Sequence, residues 1–408
     1  MLLAKTTINK EELKGLAAAF VLVDLLFFPY FQILVMPISL PFIIIYIFFD
    51  GDFNFPNRYF IFFSIVAFFT LFSTYLSVFI SDYNYFLENF KRSVQFLTSF
   101  IYFSFFYYIS SSLRRGFVSE NLLLAFLLLF LALSVAFYFD PLYVNSLLKT
   151  VYGKTVTSDD VVSLHRRYAY FFTDPNTAAY FLLIACVPLF YVTRNIRSFI
   201  VVFFLIGSSL VMTQSRGGLL VFFLCTVIGF FSLISSMEAS KRVSLVLSIA
   251  FVSCLSIFFF YFFFSGEEVF LEFSRSLTDF DRLTKYSDDS RFDIWASFIS
   301  TVELFPLGRG YIIFVDGEVI KPHSDFLRLL YSYGVVVFAF ILIFFAFLLY
   351  RFPLFVVPAL GAFFINTLID EQKLFSLFLC WAGVLLRIYE VAPNKYRSTT
   401  ADLFFKGS

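Results

Sequence analysis

The sequence predicts an all-α membrane protein with about twelve transmembrane helices and one large loop on the non-cytoplasmic side. Its composition is the first observation behind this prediction, because 60% of the 408 residues are hydrophobic and only 14% are charged. An average soluble domain is roughly half apolar and about a quarter charged. No soluble core could bury so much apolar surface, so the surrounding medium must be lipid.

The second observation is a series of apolar runs, each near the ~20 residues that a helix needs to cross a bilayer. Proline and polar residues divide these runs into predicted spans at 14–30, 31–49, 59–80, 93–112, 121–139, 177–193, 198–213, 217–236, 243–264, 324–350, 352–369 and 374–389. The region 352–389 could hold one helix fewer.

The third observation is the distribution of basic residues in the short loops, which sets the orientation. With the N-terminus in the cytoplasm, the inner loops hold Arg58, Arg114, Arg115, Arg194, Arg197, Lys241, Arg242 and Arg351. Residues 1–264 then form helices one to nine, with a medium outer loop near 140–176. Residues 265–323 form the large outer loop, and 324–408 form the last three helices and a cytoplasmic tail.

Composition also narrows the function classes. The net charge of +1 gives no basic signal for nucleic acid. The four cysteines lie within apolar runs without a CxxC pair or metal-ligand spacing, so neither a metal site nor a disulfide is predicted. No internal repeat is evident, which disfavours an inverted-repeat transporter.

The large outer loop contains SRFDIWASFISTVELFP, which predicts a short amphipathic helix capped by Ser290. Its apolar residues recur at helical spacing. Such a helix could lie along the membrane surface and hold Arg291 at the water–lipid boundary. It could equally cover the helical bundle.

His323 stands where this loop re-enters the membrane, in the segment KPHSDFLRLLYSYG. Its unperturbed pKa, about 6.5, suits proton transfer near neutral pH, so His323 is a candidate catalytic base. Asp325 could orient His323 or cap the helix, and Arg328 falls one turn later, where it could pair with Asp325. A structural role remains the alternative for this histidine.

Arginines on the same side are candidate phosphate ligands, since a guanidinium suits bidentate phosphate contacts. Arg216 follows a predicted span in TQSRGGLL, although it could be a snorkelling turn residue. Arg167 precedes the TDPN motif. The position of Asn176 just before a predicted helix favours a structural capping role over a ligand role. Asp24 interrupts the first span, and an intramembrane carboxylate is a functional candidate by default.

Together, "R…DPN", "QSRGG", "R…W…PLGRG" and "HSDFL…YG", in this order, resemble the O-antigen polymerase and O-antigen ligase superfamily of bacterial envelope enzymes. The resemblance covers roughly 160–340. It implies a GT-C-like fold in the bacterial inner membrane, with the large loop in the periplasm and containing short amphipathic helices.

The same resemblance implies an inverting glycosyltransferase that needs no metal or other cofactor and uses an undecaprenyl-diphosphate-linked glycan as donor. Transferred residue by residue, Arg216 and Arg291 match arginines that hold the diphosphate, and Arg167 and Arg309 match further basic residues. His323 matches the base that activates the acceptor hydroxyl. A chain-length-regulating co-polymerase is a further candidate partner.

The acceptor decides between two enzymes: a polymerase extends another lipid-linked repeat unit, whereas a ligase delivers the glycan to lipid A-core. The HSDFL and DPN segments, and Val337 where a ligase-like pattern has a small or polar residue, favour the polymerase. A transporter of lipid-linked sugars is the rival from another class. It should carry several charged residues near the membrane midplane, and here only Asp24 qualifies clearly.

Overall fold

The computed structural model describes residues 10–28, 36–50, 53–80, 85–110, 120–152, 167–192, 196–235, 291–315, 318–320, 322 and 324–391. The predicted span 243–264, most of the large outer loop and His323 lie outside the described residues. So does the second histidine of the chain, His165.

The described residues form thirteen helices and one β-hairpin. The helices are α1 (Lys10–Phe27), α2 (Ser39–Phe49), α3 (Asn57–Ile80), α4 (Phe86–Ile109), α5 (Glu120–Phe139), α6 (Pro141–Tyr152), α7 (Pro175–Val192), α8 (Ile196–Thr213), α9 (Arg216–Ser235), α10 (Arg291–Thr301), α11 (Asp325–Arg351), α12 (Pro353–Ile365) and α13 (Gln372–Val391). The hairpin pairs β1 (Ile313–Val315) with β2 (Glu318–Ile320) in antiparallel fashion.

Four of these helices are long and apolar enough to cross a membrane: Asn57–Phe79, Asn121–Phe139, Asp325–Arg351 and Gln372–Val391. Five further apolar helices among the described residues are shorter. The outer faces of the long and the short apolar helices carry large apolar side chains, such as Phe48 at 83% and Phe139 at 78% exposure, as expected where the solvent is lipid. The predicted helical membrane architecture is therefore confirmed, whereas the number of twelve spans stays a prediction.

The centre of the bundle is α13, which packs along α4 and also contacts α7 and α1. Around this pair, α3 and α12 flank α11, and α12 also contacts α7 and α9. Aromatic rings fill the interfaces; Phe96 of α4, for example, stacks on Tyr333 of α11 and on Phe375 of α13. Cys186, Cys225 and Cys380 are free thiols that lie buried within the bundle.

The α11 helix is interrupted at Gly334, whose φ of 81° lies in the left-handed region that glycine tolerates best. The segment before α11 fills the interruption. Gly308, also at φ 81°, lies against the carbonyl of Ser332, and Val335 donates its N–H to the carbonyl of Pro306 at 2.9 Å. The PLGRG and YG motifs therefore pack against each other, and this contact holds the first part of α11 against the segment that precedes the helix.

The predicted amphipathic helix is present as α10. Phe298 and Val302 are buried, and Phe298 packs edge-to-face on Tyr331 of α11 with ring centroids 4.9 Å apart. Ile299 is 54% exposed. The buried face of α10 thus covers the bundle, the second of the two alternatives that the sequence left open, and the side chain of Arg291 is outside the described residues.

Candidate functional site

Polar and charged side chains gather where the end of α1, the beginnings of α4, α7, α9 and α11, and the connection between α12 and α13 meet. The hydrogen bonds below link these chain segments directly. According to the predicted topology, each of them lies on the outer side. We call the two groups of residues at this end the Asp325 corner and the Arg216 corner. The Asp325 corner consists of Arg92, Tyr311, Asp325, Arg328 and Asp370, and the Arg216 corner consists of Arg167, Asn176, Ser215 and Arg216.

The Asp325 corner is built on the first residue of α11. The Oδ2 atom of Asp325 accepts hydrogen bonds from the backbone N–H groups of Leu368, Ile369 and Asp370, the last at 3.2 Å. The Asp325 side chain is buried, and three N–H donors compensate for the loss of water. Beside the predicted roles of orienting His323 and capping α11, the described contacts show that Asp325 holds the α12–α13 connection against α11.

One turn later, Arg328 reaches the same connection. Its guanidinium forms an ion pair with Asp370 and donates to the Tyr311 hydroxyl at 2.8 Å. Tyr311 in turn donates to Asp370. The sequence predicts that Arg328 could pair with Asp325. Its direct contacts are instead to Asp370 and Tyr311, whereas the Oδ2 atom of Asp325 accepts the backbone N–H groups of the connection.

Arg92 of α4 lies near the other oxygen of the same carboxylate, with Nη1 3.7 Å from Asp370 Oδ1. Arg92 also pairs with Glu88 at 3.0 Å. Sequence reasoning missed Arg92, Tyr311 and Asp370. The sequence did contain a signal for Arg92 and Asp370. Arg92 in FKRSVQFL and Asp370 in LIDEQK are charged residues at the outer ends of predicted spans.

These residues surround a small cavity with a volume of about 20 Å³ that is partly open to the outside. Its lining consists of Arg92, Gln95, Phe96, Tyr311, Asp325, Arg328, Leu329, Tyr333, Ile369 and Asp370. The formal charges of the two arginines and the two carboxylates in this lining cancel, so the cavity has no net positive charge.

Burial affects the titration of the neighbouring loop residues. Burial raises the pKa of Asp370, and the nearby Arg92 opposes that shift. Burial raises the pKa of Glu371 to about 7, with Lys373 acting in the opposite direction. In the segment before the hairpin, burial lowers the pKa of Arg309, while Glu303 raises it.

The Arg216 corner lies at the beginnings of α7 and α9. Arg167 donates to Asn176 Oδ1 at 3.2 Å and to the carbonyl of Gln214 at 3.4 Å. Ser215 donates to the same Asn176 oxygen at 2.9 Å and caps α9 by accepting the Gly218 N–H at 3.1 Å. Arg216 is the first residue of α9, so its guanidinium adds to the positive end of the helix dipole.

The two glycines of QSRGG allow α9 to approach α7 closely. A Cβ atom on Gly217 would lie 2.7 Å from the Tyr180 hydroxyl, and one on Gly218 would lie 2.7 Å from the Cβ of Ala179. The motif therefore has a packing function in addition to carrying Arg216. It keeps the beginning of α9 beside Asn176 and Arg167.

Asn366 joins the two corners. Its carbonyl accepts the Asp325 N–H at 3.3 Å. In the orientation that satisfies both ends of its amide, the side chain donates to Asp174 Oδ2 at 3.2 Å and accepts from Thr177 Oγ1 at 3.1 Å. Asp174 also accepts from Asn176 at 3.0 Å, so one chain of hydrogen bonds runs from Arg167 to Arg328.

Two other predicted residues lie beside these corners. Arg309 donates its backbone N–H to the carbonyl of Tyr331 at 3.2 Å, and its guanidinium lies 4.6 Å from the ring centre of Phe305. Asp24 is buried and accepts the Ser39 N–H at 2.6 Å. Lys373 donates to the carbonyl of Asp24 at 3.0 Å, so Asp24 belongs to the contact of α1 with α13.

Among the described residues, no group of three or more His, Cys, Asp or Glu side chains could hold a metal ion. Metal independence therefore stays a prediction from the resemblance.

Apolar helices with a polar site at one end define a multi-pass membrane protein. Residues 200–342, about a third of the chain, match the family model described as O-antigen ligase. The matched segment contains Arg216, Arg291, Arg309, His323, Asp325 and Arg328. The match supports the O-antigen polymerase and ligase superfamily that the motifs resemble. No curated protein matches the chain significantly.

Proposed function

We propose that the protein is an O-antigen polymerase in the inner membrane of a bacterium. It transfers a glycan from undecaprenyl diphosphate to a sugar hydroxyl of another lipid-linked repeat unit, on the periplasmic side. The observation that carries this proposal is the chain of hydrogen bonds that joins the Arg216 corner to the Asp325 corner at one end of the bundle. His323 stands two residues before Asp325 in the sequence.

The Arg216 corner suits the diphosphate of the donor. Two arginines, the hydroxyl of Ser215 and the positive end of a helix lie close together there. Such groups stabilise a diphosphate leaving group without a metal ion, because their charges and donors are already oriented. Arg291 and Arg309, which match further basic residues of the superfamily motifs, would supply additional positive charge to the same substrate.

His323 is the general base of the proposed reaction. It takes the proton of the acceptor hydroxyl while that oxygen attacks the anomeric carbon from the face opposite the diphosphate, which inverts the configuration. Support comes from its position immediately before Ser324, whose hydroxyl donates to the carbonyl of Phe364 at 3.0 Å. The chain entering α11 is therefore held at the Asp325 corner.

The second candidate is an O-antigen ligase, which uses the same donor and delivers the glycan to lipid A-core. The description of the matching family favours it. The HSDFL and DPN segments, and Val337 where a ligase-like pattern has a small or polar residue, favour the polymerase. A chain-length-regulating co-polymerase would be a partner of the polymerase only.

Deletion of the gene distinguishes the candidates. Loss of the polymerase should leave lipid A-core that carries a single repeat unit. Loss of the ligase should instead leave bare core, with long chains accumulating on the carrier lipid. Loss of a transporter should leave repeat units on the cytoplasmic face, and this third outcome would contradict a glycosyltransferase of either kind.

The purified protein tests the base directly. Wild-type protein in detergent should convert the lipid-diphosphate repeat unit to polymer, and His323→Ala should abolish that conversion while it retains donor binding. Unchanged polymer formation by His323→Ala would exclude this residue as the base. A Lys91→Gln variant is the control, since this half-exposed lysine pairs with Glu88 outside both corners.

A further inference from the structure

The segment 303–310, which precedes the hairpin, reaches a level well below the outer ends of the neighbouring helices. A Cβ atom on Gly308 would lie 2.5 Å from the Oγ atom of Ser73 in α3 and would also meet the carbonyl oxygen of Ser332 in α11. Ser73 stands seven residues before the end of α3 at 80, and Ser332 stands seven residues after the start of α11 at 325. The predicted topology places both of these helix ends on the outer side. Since a helix rises 1.5 Å per residue, Gly308 lies about 10 Å inward from them.

A second contact joins Pro306 to α11. The carbonyl of Pro306 accepts the N–H of Val335 at 2.9 Å. Val335 belongs to the apolar helix Asp325–Arg351, which is long enough to cross a membrane, and its side chain is exposed. An exposed apolar side chain within a spanning helix faces lipid. Pro306 is therefore level with a residue that faces lipid.

The side chains of the segment suit an apolar medium. Leu304 and Leu307 are 43% and 40% exposed, and Pro306 between them is also exposed. Charged residues flank this apolar group, with the exposed Glu303 on one side and Arg309 on the other. The sequence assigns all of them to the large outer loop, where the two leucines would face water. Neighbouring large apolar side chains that are exposed are instead typical of a surface that contacts a membrane or another protein.

The backbone of the segment is paired with α11, as a lipid environment requires. Irregular backbone is tolerated at membrane depth only where its polar groups are satisfied within the protein. Arg309 donates its N–H to the carbonyl of Tyr331 at 3.2 Å, and Gly310 donates its N–H to the carbonyl of Ser332 at 3.0 Å. The interruption of α11 makes the first acceptor accessible, because Val335, four residues after Tyr331, donates its N–H to the segment and not to Tyr331.

We propose that residues 304–307 are inserted in the outer-side leaflet of the bilayer, where Leu304 and Leu307 contact lipid acyl chains. The lipid-facing side of α3 supports lipid as the occupant of this surface. Phe79 of α3 is exposed and lies nearer to the outer end of the helix than Ser73 does, so lipid extends outward beyond the level at which the segment packs. The large outer loop then re-enters the membrane before α11 begins. This proposal does not depend on the proposed function.

Nitroxide labels on single cysteines test the insertion. The four native cysteines are replaced by alanine, and Leu307→Cys is added, labelled and reconstituted in nanodiscs. Electron paramagnetic resonance then measures collisions of the label with oxygen, which concentrates in lipid, and with a nickel chelate, which stays in water. Phe68→Cys on the exposed face of α3 is the lipid reference, and Glu12→Cys at the polar start of α1 is the water reference.

The oxygen-to-nickel collision ratio of Leu307→Cys should exceed that of Glu12→Cys several-fold and should approach that of Phe68→Cys. A ratio as low as that of Glu12→Cys would show that the segment lies in water and would overturn the proposal. Low collision rates with both reagents would overturn it as well, because another part of the chain or a partner would then cover the surface.

Leu304→Cys provides a second position if Leu307→Cys does not give a monodisperse protein. Its side chain belongs to the same exposed apolar group, so the same collision ratio is expected and the same two results contradict the insertion. The measurement involves no glycan or lipid-diphosphate substrate. Failure of the insertion and failure of the proposed function are therefore separate outcomes.

Discussion

Arg328 forms an ion pair with Asp370 across the cavity, although the two residues belong to different segments on either side of the α11–α12 hairpin. Arg328 is 6% exposed, so its charge has little access to water. The pair therefore connects the beginning of α11 to the connection between α12 and α13. Loss of this ion pair should therefore lower the stability of this end of the bundle.

Replacing Asp370 with Leu should lower the free energy of unfolding by about 3 kcal/mol or more, because an unpaired arginine would remain buried. Thermal unfolding in detergent is the measurement. Glu88→Leu is the control and should change stability by less than about 1 kcal/mol, since its pairs with Lys91 and Arg92 are partly exposed. The double variant Arg328→Met/Asp370→Leu should recover much of the loss; a double variant as unstable as Asp370→Leu would contradict this explanation.

Gly334→Ala should destabilise the fold strongly. The residue has φ 81°, which costs a residue with a Cβ roughly 1–2 kcal/mol, and its Cβ would lie 2.6 Å from the backbone nitrogen of Gly308. A fall in the unfolding temperature and a smaller monodisperse peak in size-exclusion chromatography are expected. Gly229→Ala is the matched control, because its Cβ would meet Leu354 at an ordinary 3.6 Å and alanine favours helix. Equal stability of the two variants would show that the Gly308–Gly334 contact is not required.

Arg216→Gln should weaken donor use. Removal of one charge-assisted phosphate contact should raise the KM for the lipid-diphosphate donor by about tenfold or more. Lys91→Gln removes a positive charge outside both corners and should leave the donor KM unchanged. If Arg216→Gln and Arg167→Gln both keep the wild-type donor KM, the diphosphate assignment fails.

Stability should increase as the pH falls from about 8 to about 5, in part through Glu371. Its pKa is raised from 4.5 in the unfolded chain to about 7 in the folded protein, because burial disfavours the charged carboxylate. The folded state therefore binds the proton on Glu371 more tightly than the unfolded chain does. The stability gained from this proton is fully present below pH 4.5 and is lost as the pH rises through about 7.

Glu371→Gln should flatten this pH dependence and raise the unfolding temperature at about pH 8, because a neutral amide carries no charge to bury. Unfolding temperatures at several pH values give the comparison. Glu303→Gln is the control, since Glu303 is exposed. A pH profile of Glu371→Gln that matches that of wild type would show that another group is responsible.

The sequence by itself determined the class of the protein and the order of its motifs. Apolar composition and the lengths of the apolar runs predict a helical membrane protein, because backbone groups in lipid must be satisfied within the segment. The same local patterns predicted α10 and the polar start of α11. The motif with Arg216 was likewise visible, and the family match to residues 200–342 supports the resemblance.

Only the tertiary structure decided which of these residues meet. The contact of Arg328 with Asp370 and Tyr311, and the link of Asn366 to Asp174 and Asp325, join segments that lie far apart in the chain. Hydropathy shows which segments lie in the membrane, but it carries no information on how the helices turn toward one another. That geometry is set by side-chain packing between helices, such as the close approach at Gly308 and Gly334, and packing of this kind leaves no periodic signal in the sequence.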